Sequence, residues 1–329
     1  MMRYIPNPSR NPCFNLALEE YALRSLPEKD AYFMLWQNDP AIIVGAGQNT
    51  IDEINPGFVR RHGIHVVRRR SGGGAVYHDQ GNLNFSFITD RVGSRAFDFQ
   101  RFTAPVIRTL HKLGISSAFS NRNDLVIKTR KFSGNAQYMT KDRLLHHGTL
   151  LVHSNLDNLQ HALSVSRDKI KSKGIQSVRS RVTNISDHLG EKLPVDQLKG
   201  LLLEAIAEDE PEMGEYHLTH DDVRAVHRLM QARYLRWDWN FKSYSQFDIR
   251  RSHRFDAGKV EARIRVADGR IVGCKFYGDF FGSGDLGEFE RRLTGRRLDR
   301  SEIEDLLATM DINHYFHRID RDGLLDMIV

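Results

Sequence analysis

Two stretches of this sequence hold residues whose types and spacing can do chemistry on an anion. The first is Arg68-Arg69-Arg70-Ser71-Gly72-Gly73-Gly74-Ala75-Val76-Tyr77-His78-Asp79. Its glycines let the backbone turn where a Cβ would clash, and bring several N–H groups toward one point. The arginines arrive just before the turn, and backbone donors beside fixed positive charge suit a phosphate or a carboxylate. The stretch is neither a P-loop nor a dinucleotide fingerprint, because those sit between a strand and a helix. Here Leu83, Phe85 and Phe87 alternate with Asn84 and Ser86, so a second strand follows the turn. The second stretch is Asn123-Asp124 with Lys131-Phe132-Ser133-Gly134. A lysine on a strand is ordinarily solvated. This one stands shortly before a glycine, where a missing side chain would let a ligand approach the backbone. Asn123 and Asp124 could offer an oxygen to Mg²⁺.

The remaining reactive residues carry less. His78 and Asp79 could be a base and its orienter, but neighbours on a strand point to opposite faces, so Asp79 reads more simply as a turn residue. The same parity separates His146 from His147, and no third ligand lies at metal spacing. His147 reads as a hydrogen-bonding residue. Cys13, at the start of a helical pattern, is either an activated thiol or a small buried hydrophobe.

The elements that must position these groups follow from periodicity. Residues 11–26 carry Phe14, Leu16, Ala17, Leu18, Tyr21, Ala22 and Leu23 at helical spacing, with Pro27 as the stop. Strands are expected at 31–36, 41–45, 64–67, 83–88, 124–127, 130–136 and 143–153, and helices at 58–62, 99–113, 156–163, 198–207 and 221–234. The stretch 166–189 is polar and basic and reads as a long connecting loop. From residue 247 onward a hairpin is expected over 260–277, followed by helices at 285–293 and 301–307. That end reads as a small α+β appendage, with the boundary near 245.

Composition bounds the answer. The 329 residues are 40% hydrophobic and 27% charged, the profile of a globular enzyme. The formal charge is +6, spread without a separate Lys/Arg run, which argues against nucleic acid as the partner. The two cysteines form no CxxC pair, so neither a zinc site nor a disulfide framework is expected. No apolar run approaches the ~20 residues that cross a bilayer, and Met1-Met2-Arg3-Tyr4-Ile5-Pro6 lacks the apolar core of a leader. These features predict a cytoplasmic protein with no membrane partner.

Taken together and in order, the motifs closely resemble those of the lipoate–protein ligase A family. The resemblance rests on Asn15-Leu16-Ala17-Leu18-Glu19-Glu20, on Arg69 through Asp79 with Gly81-Asn82, on Arg122-Asn123-Asp124, on Lys131 through Ala136, on His146 through Leu151 and on Lys173 through Asn184. Trp237-Asp238-Trp239-Asn240-Phe241 resembles the end of the family's large domain. The resemblance implies a biotin/lipoyl-ligase-like α+β fold, a mixed sheet flanked by helices. It further implies a catalytic domain over 1–245 and a small α+β accessory domain over 246–329.

The implied activity has two half-reactions: lipoate and ATP form lipoyl-AMP, and the lipoyl group then moves to a lysine. The implied acceptors are the lipoyl domains of 2-oxoacid dehydrogenase E2 subunits and the glycine cleavage H protein. By resemblance, Lys131 is the catalytic residue, placed between carboxylate and α-phosphate. The nucleotide and lipoyl-AMP site is Arg70, Gly72, Gly73, Gly74, Ala75, Val76, Tyr77, His78, Asn82, Asn123, Asp124 and Lys131. Gly74, His78, Lys131 and His147 border the lipoate pocket, and Asp124 lies near a phosphate-borne Mg²⁺. Lys169 to Arg181 is the candidate for a closing loop, or a plain basic surface loop.

Attack of a carboxylate on a phosphate joins two anions, so cations must offset the repulsion. A lysine suits this as a compact point charge on a flexible stem. The rivals are octanoyl or lipoyl transferases of the same fold without adenylation: an octanoyltransferase that uses a cysteine thioester instead of ATP, for which Cys13 and Cys274 lie outside the site motifs, and a transferase that accepts preformed lipoyl-AMP but cannot make it. A DNA-binding repressor related to biotin ligases would need a helix-turn-helix ahead of the ligase motifs, and none precedes them.

Overall fold

The computed structural model describes residues 1–91, 98–120, 123–163, 181–241, 249–267 and 269–329. The chain divides into two units. One holds Met1–Ile43, Asp52–Val67 and Val76–Asn240; the other holds Val44–Ile51, Arg68–Ala75 and Phe241–Val329. The boundary expected near 245 falls among residues 242–248, outside the described residues, and so does most of the expected loop 169–181.

Alternating stretches build the first unit. Its strands are β1 (Met2–Tyr4), β2 (Ala31–Trp36), β3 (Ala41–Val44), β4 (His65–Arg68), β5 (Val76–His78) and β6 (Asn82–Asp90). They continue with β7 (Ser117–Phe119), β8 (Asp124–Ile127), β9 (Arg130–Met139), β10 (Arg143–Leu151) and β11 (Gly214–Glu215). Eight of them form one sheet in the order β11-β1-β2-β6-β10-β9-β8-β7. β1 is parallel to both its neighbours and the other pairs are antiparallel, so the sheet is mixed. β4, β3 and β5 form a separate three-stranded sheet in that order.

Register fixes what each face of the large sheet carries. Ser86 pairs with Met34 on one side and His147 on the other, and His147 pairs with Ala136. Because side chains alternate, the set Trp36, Met34, Asn84, Ser86, His147, Thr149 and Ala136 shares one face. The opposite face carries Phe33, Leu35, Phe85, Phe87 and Leu150, and also Phe132, because a bulge in β9 between Lys131 and Ser133 reverses the alternation there. This face packs on the helices Gln100–Lys112 and Val195–Asp209 through Phe102, Val106, Leu198 and Leu202. Each of these aromatic rings contributes roughly 1.5–3 kcal/mol by leaving water.

Helix α1 (Pro12–Ser25) covers the first face. Asn11 caps it, its side chain accepting from the N–H groups of Cys13 and Phe14, and proline follows at the first helical turn. Leu16, Ala17, Ala22 and Leu23 seat it on Tyr32, Met34, Trp36, Ile88 and Leu145. Its far end has no glycine cap. The fully buried Arg143 donates instead to the carbonyl oxygens of Ala22, Leu26 and Asp30, at 3.3, 3.4 and 2.7 Å.

The helix expected over 221–234 changes type partway. It is α-helical over His220–Leu229, opened by the Thr219/Asp222 capping box, and a π-helix over Met230–Tyr234. The wider turn brings Arg233 and Tyr234 together on the buried Glu20 carboxylate.

In the second unit, β12 (Ile249–Phe255), β13 (Gly258–Ala267) and β14 (Arg270–Gly278) form an antiparallel sheet. The helices Leu286–Leu293, Arg300–Ala308 and Arg321–Ile328 bury Phe289, Leu293, Ile303, Leu307 and Leu324 with its inner face. β12 lies outside the expected hairpin because its Arg-rich sequence shows little apolar alternation.

Candidate active site

The glycine loop is held from within the second unit. Arg69 N–H donates to Val44 O, and Ala46 N–H to Ser71 O, each at 2.9 Å, so the two glycine-bearing stretches run side by side. The three glycines do different things. A Cβ on Gly72 would lie 2.6 Å from Phe280 O. Gly73 has φ +89°, which disfavours any other residue. Gly74 faces open space, with nothing within 4 Å of where its Cβ would be.

The arginines do not act together as the sequence suggests. Arg68 is buried, and its guanidinium donates to the carbonyl oxygens of Gly45, Ala46 and Gln48 at 2.9, 3.1 and 2.7 Å, and to Thr50 Oγ1 at 2.7 Å. Burial lowers its pKa to about 10. Arg69 donates to Ser71 Oγ at 2.8 Å and to the carbonyls of Gly72 and Gly74 at 2.6 and 2.9 Å. Both side chains therefore satisfy carbonyls of the loops, while Arg70 is partly exposed.

Ala75 leads into β5. Val76, Tyr77 and His78 pair with Ile43, Ile42 and Ala41 of β3. β5 is the edge of its sheet, so its other backbone edge has no strand partner among the described strands. His78 Nδ1 lies 2.9 Å from Asn38 Nδ2, and Asn38 Oδ1 accepts from Asn15 Nδ2 at 2.9 Å. That chain of bonds makes Nδ1 the acceptor and leaves the ring proton of His78 on Nε2. Asp79 serves the turn: its carboxylate accepts from the N–H groups of Gly81 and Asn155, at 2.9 and 2.8 Å. Asn82 is fully buried and donates to Asn84 Oδ1 at 2.9 Å, while its own Oδ1 has no partner.

On the α1-covered face, Lys131 Nζ lies 2.7 Å from Asp124 Oδ1, and both side chains are about one third exposed (36% and 31%). The room expected beside Gly134 is filled by this amine: a Cβ there would meet Lys131 Nζ at 2.7 Å. Asn123 and Asn135 hold the two strands together through mutual bonds, with Asn135 N–H on Asn123 O at 3.0 Å. Gly134 N–H donates to Thr149 Oγ1 at 3.3 Å.

Farther along the same face, His147 Nδ1 lies 3.0 Å from Glu19 Oε1, with the carboxylate 2% exposed. Ser86 Oγ donates to the same carboxylate, and Trp36 Nε1 donates to Ser86 at 2.8 Å. Sequence reasoning gave Glu19 no role. The signal was available: it lies within the apolar stripe of α1, between Leu16 and Leu23.

His146 points the other way. It is fully buried among Phe85, Phe87, Phe99 and Phe102, 4.7 Å from the last ring centre, and its pKa is pushed well below the usual range by burial. Among the described residues no group of three or more His, Cys, Asp or Glu is arranged to hold a metal ion. Both thiols are buried, and burial lifts Cys13 to about 11 and Cys274 to about 12. No helix among the described residues is long and apolar enough to cross a membrane.

Residues 11–207 match the lipoyl protein ligase A/B catalytic domain, and residues 245–328 match the bacterial lipoate protein ligase C-terminus. The chain is 46% identical to lipoate-protein ligase LplJ of Bacillus subtilis, covering 99% of this chain and 100% of that one. It is 44% identical to lipoate–protein ligase 1 of Staphylococcus aureus, with the same coverage of 99% and 100%. Among solved structures, the lipoate complex of P. falciparum LipL1 shares the fold, with a TM-score of 0.80 at 22% identity over 99% of this chain and 97% of that one. A bipartite lipoate protein ligase of Thermoplasma acidophilum, solved in a study with its E2 lipoyl domain, gives 0.65 at 28% identity over 75% and 98%. A lipoate-protein ligase A bound with ATP gives 0.62 at 26% identity over 73% and 98%.

Proposed function

The chain belongs to the lipoate–protein ligase family, and we propose that it activates lipoate with ATP and transfers the lipoyl group to a lysine of lipoyl domains. In the first step a lipoate oxygen attacks the α-phosphorus of ATP. The O–P bond forms as the bond to pyrophosphate breaks, giving lipoyl-AMP and pyrophosphate. In the second, the acceptor lysine amine attacks the lipoyl carbonyl; an amide forms, AMP leaves and one proton is released.

The observation that carries this reading is the Lys131 amine beside Asp124, partly exposed on the polar face of the sheet. A lysine there can stabilise the negative charge that builds when carboxylate and phosphate meet, typically worth about 3–4 kcal/mol. From Lys131 toward His147 the face runs along β9 to Ala136, the partner of His147, and because a bulge takes up one residue this is four register steps, about 13 Å at strand rise. That length suits an acyl chain laid along the strand, with the Glu19–His147 pair at its far end.

The glycine loop has its own part. Gly72, Gly73 and Gly74 with Arg70 would receive phosphates, and the backbone of Ala75, Val76, Tyr77 and His78 would read the base. The place of β5 at the edge of its sheet supports that assignment. The Asp124 carboxylate, partly exposed, fits a phosphate-borne Mg²⁺ as a single protein ligand, with Asn123 beside it in sequence. Such an ion would offset phosphate charge. The division into a catalytic domain over 1–245 and an accessory domain over 246–329 belongs to the same reading, as do E2 lipoyl domains and the H protein as acceptors and the cytoplasm as location.

The buried, high-pKa thiols favour this route over the cysteine-thioester transferase. The deciding experiment is lipoate-dependent ATP–pyrophosphate exchange, followed by mass measurement of an unmodified E2 lipoyl domain. Exchange with lipoate and a lipoyl mass gain are expected. Acyl transfer from a thioester donor with no exchange would favour the rival.

A further inference from the structure

One corner of the C-terminal unit concentrates positive charge that the two half-reactions leave unused. Arg270 opens β14, and residues 295–298 pair against it. Ile271 N–H donates to Arg296 O at 2.8 Å, Gly295 N–H to Ile271 O at 2.7 Å and Leu298 N–H to Gly269 O at 3.0 Å, with a bridge between Arg270 and Arg297. Arg270 also donates to Gly295 O at 2.9 Å. Gly295, with φ +89°, makes the turn that allows this pairing. Arg265 stands on β13 in register with Gly273, its guanidinium reaching over that glycine.

All four side chains, Arg265, Arg270, Arg296 and Arg297, are exposed, and among the described residues no carboxylate lies within ion-pair distance of any of them. The contrast lies on neighbouring helices of the same unit. Arg291 meets Asp285 at 3.8 Å and Arg300 meets Asp326 at 2.6 Å. Like charges gathered on one ledge repel each other, so with no carboxylate pairing them among the described residues the arrangement costs stability unless a partner supplies the opposite sign.

We infer that this arginine ledge is a docking surface for an acidic face of the acceptor protein, an inference that rests on the reading of a protein lysine as acceptor. Guanidinium forks match carboxylates in two-point contacts that a lysine cannot make. Charge of this kind steers encounter and raises the association rate more than it deepens the complex. A nucleic acid would be better served by a continuous groove with aromatic platforms, and the ledge carries no aromatic ring.

The test is the triple reversal Arg270→Glu, Arg296→Glu and Arg297→Glu, at exposed positions where folding tolerates the change. Substrates are an unmodified E2 lipoyl domain and unmodified H protein. We expect kcat/KM for the acceptor to fall about 10-fold or more at low ionic strength, and the deficit to shrink toward parity at 0.5 M salt. Lipoate-dependent pyrophosphate exchange should stay within about 2-fold, since attraction of the acceptor protein does not enter adenylation. Unchanged acceptor kinetics at low salt would overturn the inference. So would a ledge-dependent affinity for duplex DNA or phosphatidylserine vesicles exceeding that for the acceptor. Calorimetric titration with the unmodified lipoyl domain separates docking from chemistry. Binding lost in the triple variant supports the ledge even if the wild-type protein proves inactive as a ligase, and no binding by wild type overturns it.

Discussion

The Lys131 ammonium sits where a methyl group on residue 134 would have to go: an ideal Cβ on Gly134 would meet Nζ at 2.7 Å and Cε at 3.0 Å. The obstacle is the end of a flexible side chain, so Gly134→Ala should displace the lysine rather than the strand. An amine moved by about 1 Å typically costs about 10²-fold in rate. Lipoate-dependent pyrophosphate exchange should fall by that order with the melting temperature nearly unchanged. Full exchange in folded Gly134→Ala would show that the position of the amine does not matter.

Lys131→Ala should lower exchange by about 10²–10³-fold, the usual effect of removing one preorganised transition-state donor. Stability should barely change, because the side chain is 36% exposed. Lys131→Arg should not restore it, since a planar fork cannot take the place of a point charge against Gly134. Undiminished exchange in Lys131→Ala would remove the assigned role.

Glu19→Ala strips the acceptor from both His147 and Ser86 inside a buried face. Leaving such donors unsatisfied costs about 1–3 kcal/mol each. Glu19→Gln keeps one oxygen and should lose less. Urea unfolding of the two variants measures the gap, and equal midpoints would show that the carboxylate does not hold these groups.

His146 predicts an acid-sensitive fold. Its pKa is pushed far down in the folded protein by burial, so below the unfolded value near 6.5 the unfolded chain binds a proton that the native state refuses. Stability contributed by the neutral ring is intact above pH 6.5 and is lost as pH falls, by up to about 1.4 kcal/mol per pH unit until the folded pKa is reached. As the pH falls from 7 to 5, wild type should therefore lose more stability than His146→Leu. Parallel pH–stability curves for the two proteins would contradict this.

The double variant Cys13→Ala, Cys274→Ala should keep both exchange and transfer. In the folded wild type, with the thiols pushed up to about 11 and about 12, alkylation at pH 8 should be slow. Loss of transfer in the double variant, with exchange intact, would revive a thioester route.

Much of this arrangement can be read from the chain because it is local. The alternation of Leu83, Phe85 and Phe87 with Asn84 and Ser86 places a polar row and an apolar row on opposite faces, and the register keeps them there. Lys131 meets Asp124 across one tight hairpin, with Lys128 at φ +57° in its turn. What is not legible depends on contacts between distant segments. Glu19 and His147 are 128 residues apart and meet only because α1 lies across the sheet. The inclusion of 44–51 and 68–75 in the second unit is carried by bonds such as Gly278 N–H to Gly47 O at 2.6 Å and Gly73 N–H to Phe280 O at 3.2 Å. No periodicity announces a pairing of that kind. The arginines that look like a row of anion ligands show the same limit, since sequence cannot tell a guanidinium facing solvent from one facing carbonyls.

Arg68 has a mechanical consequence. One guanidinium grips three carbonyl groups of the first glycine stretch, those of Gly45, Ala46 and Gln48, while its own backbone runs straight into the second. The two stretches cannot swing independently; whatever tilts one must drag the other. A substrate that presses on Gly74 would thus be felt at Gln48, and the pair answers as a single plate rather than as two tongues.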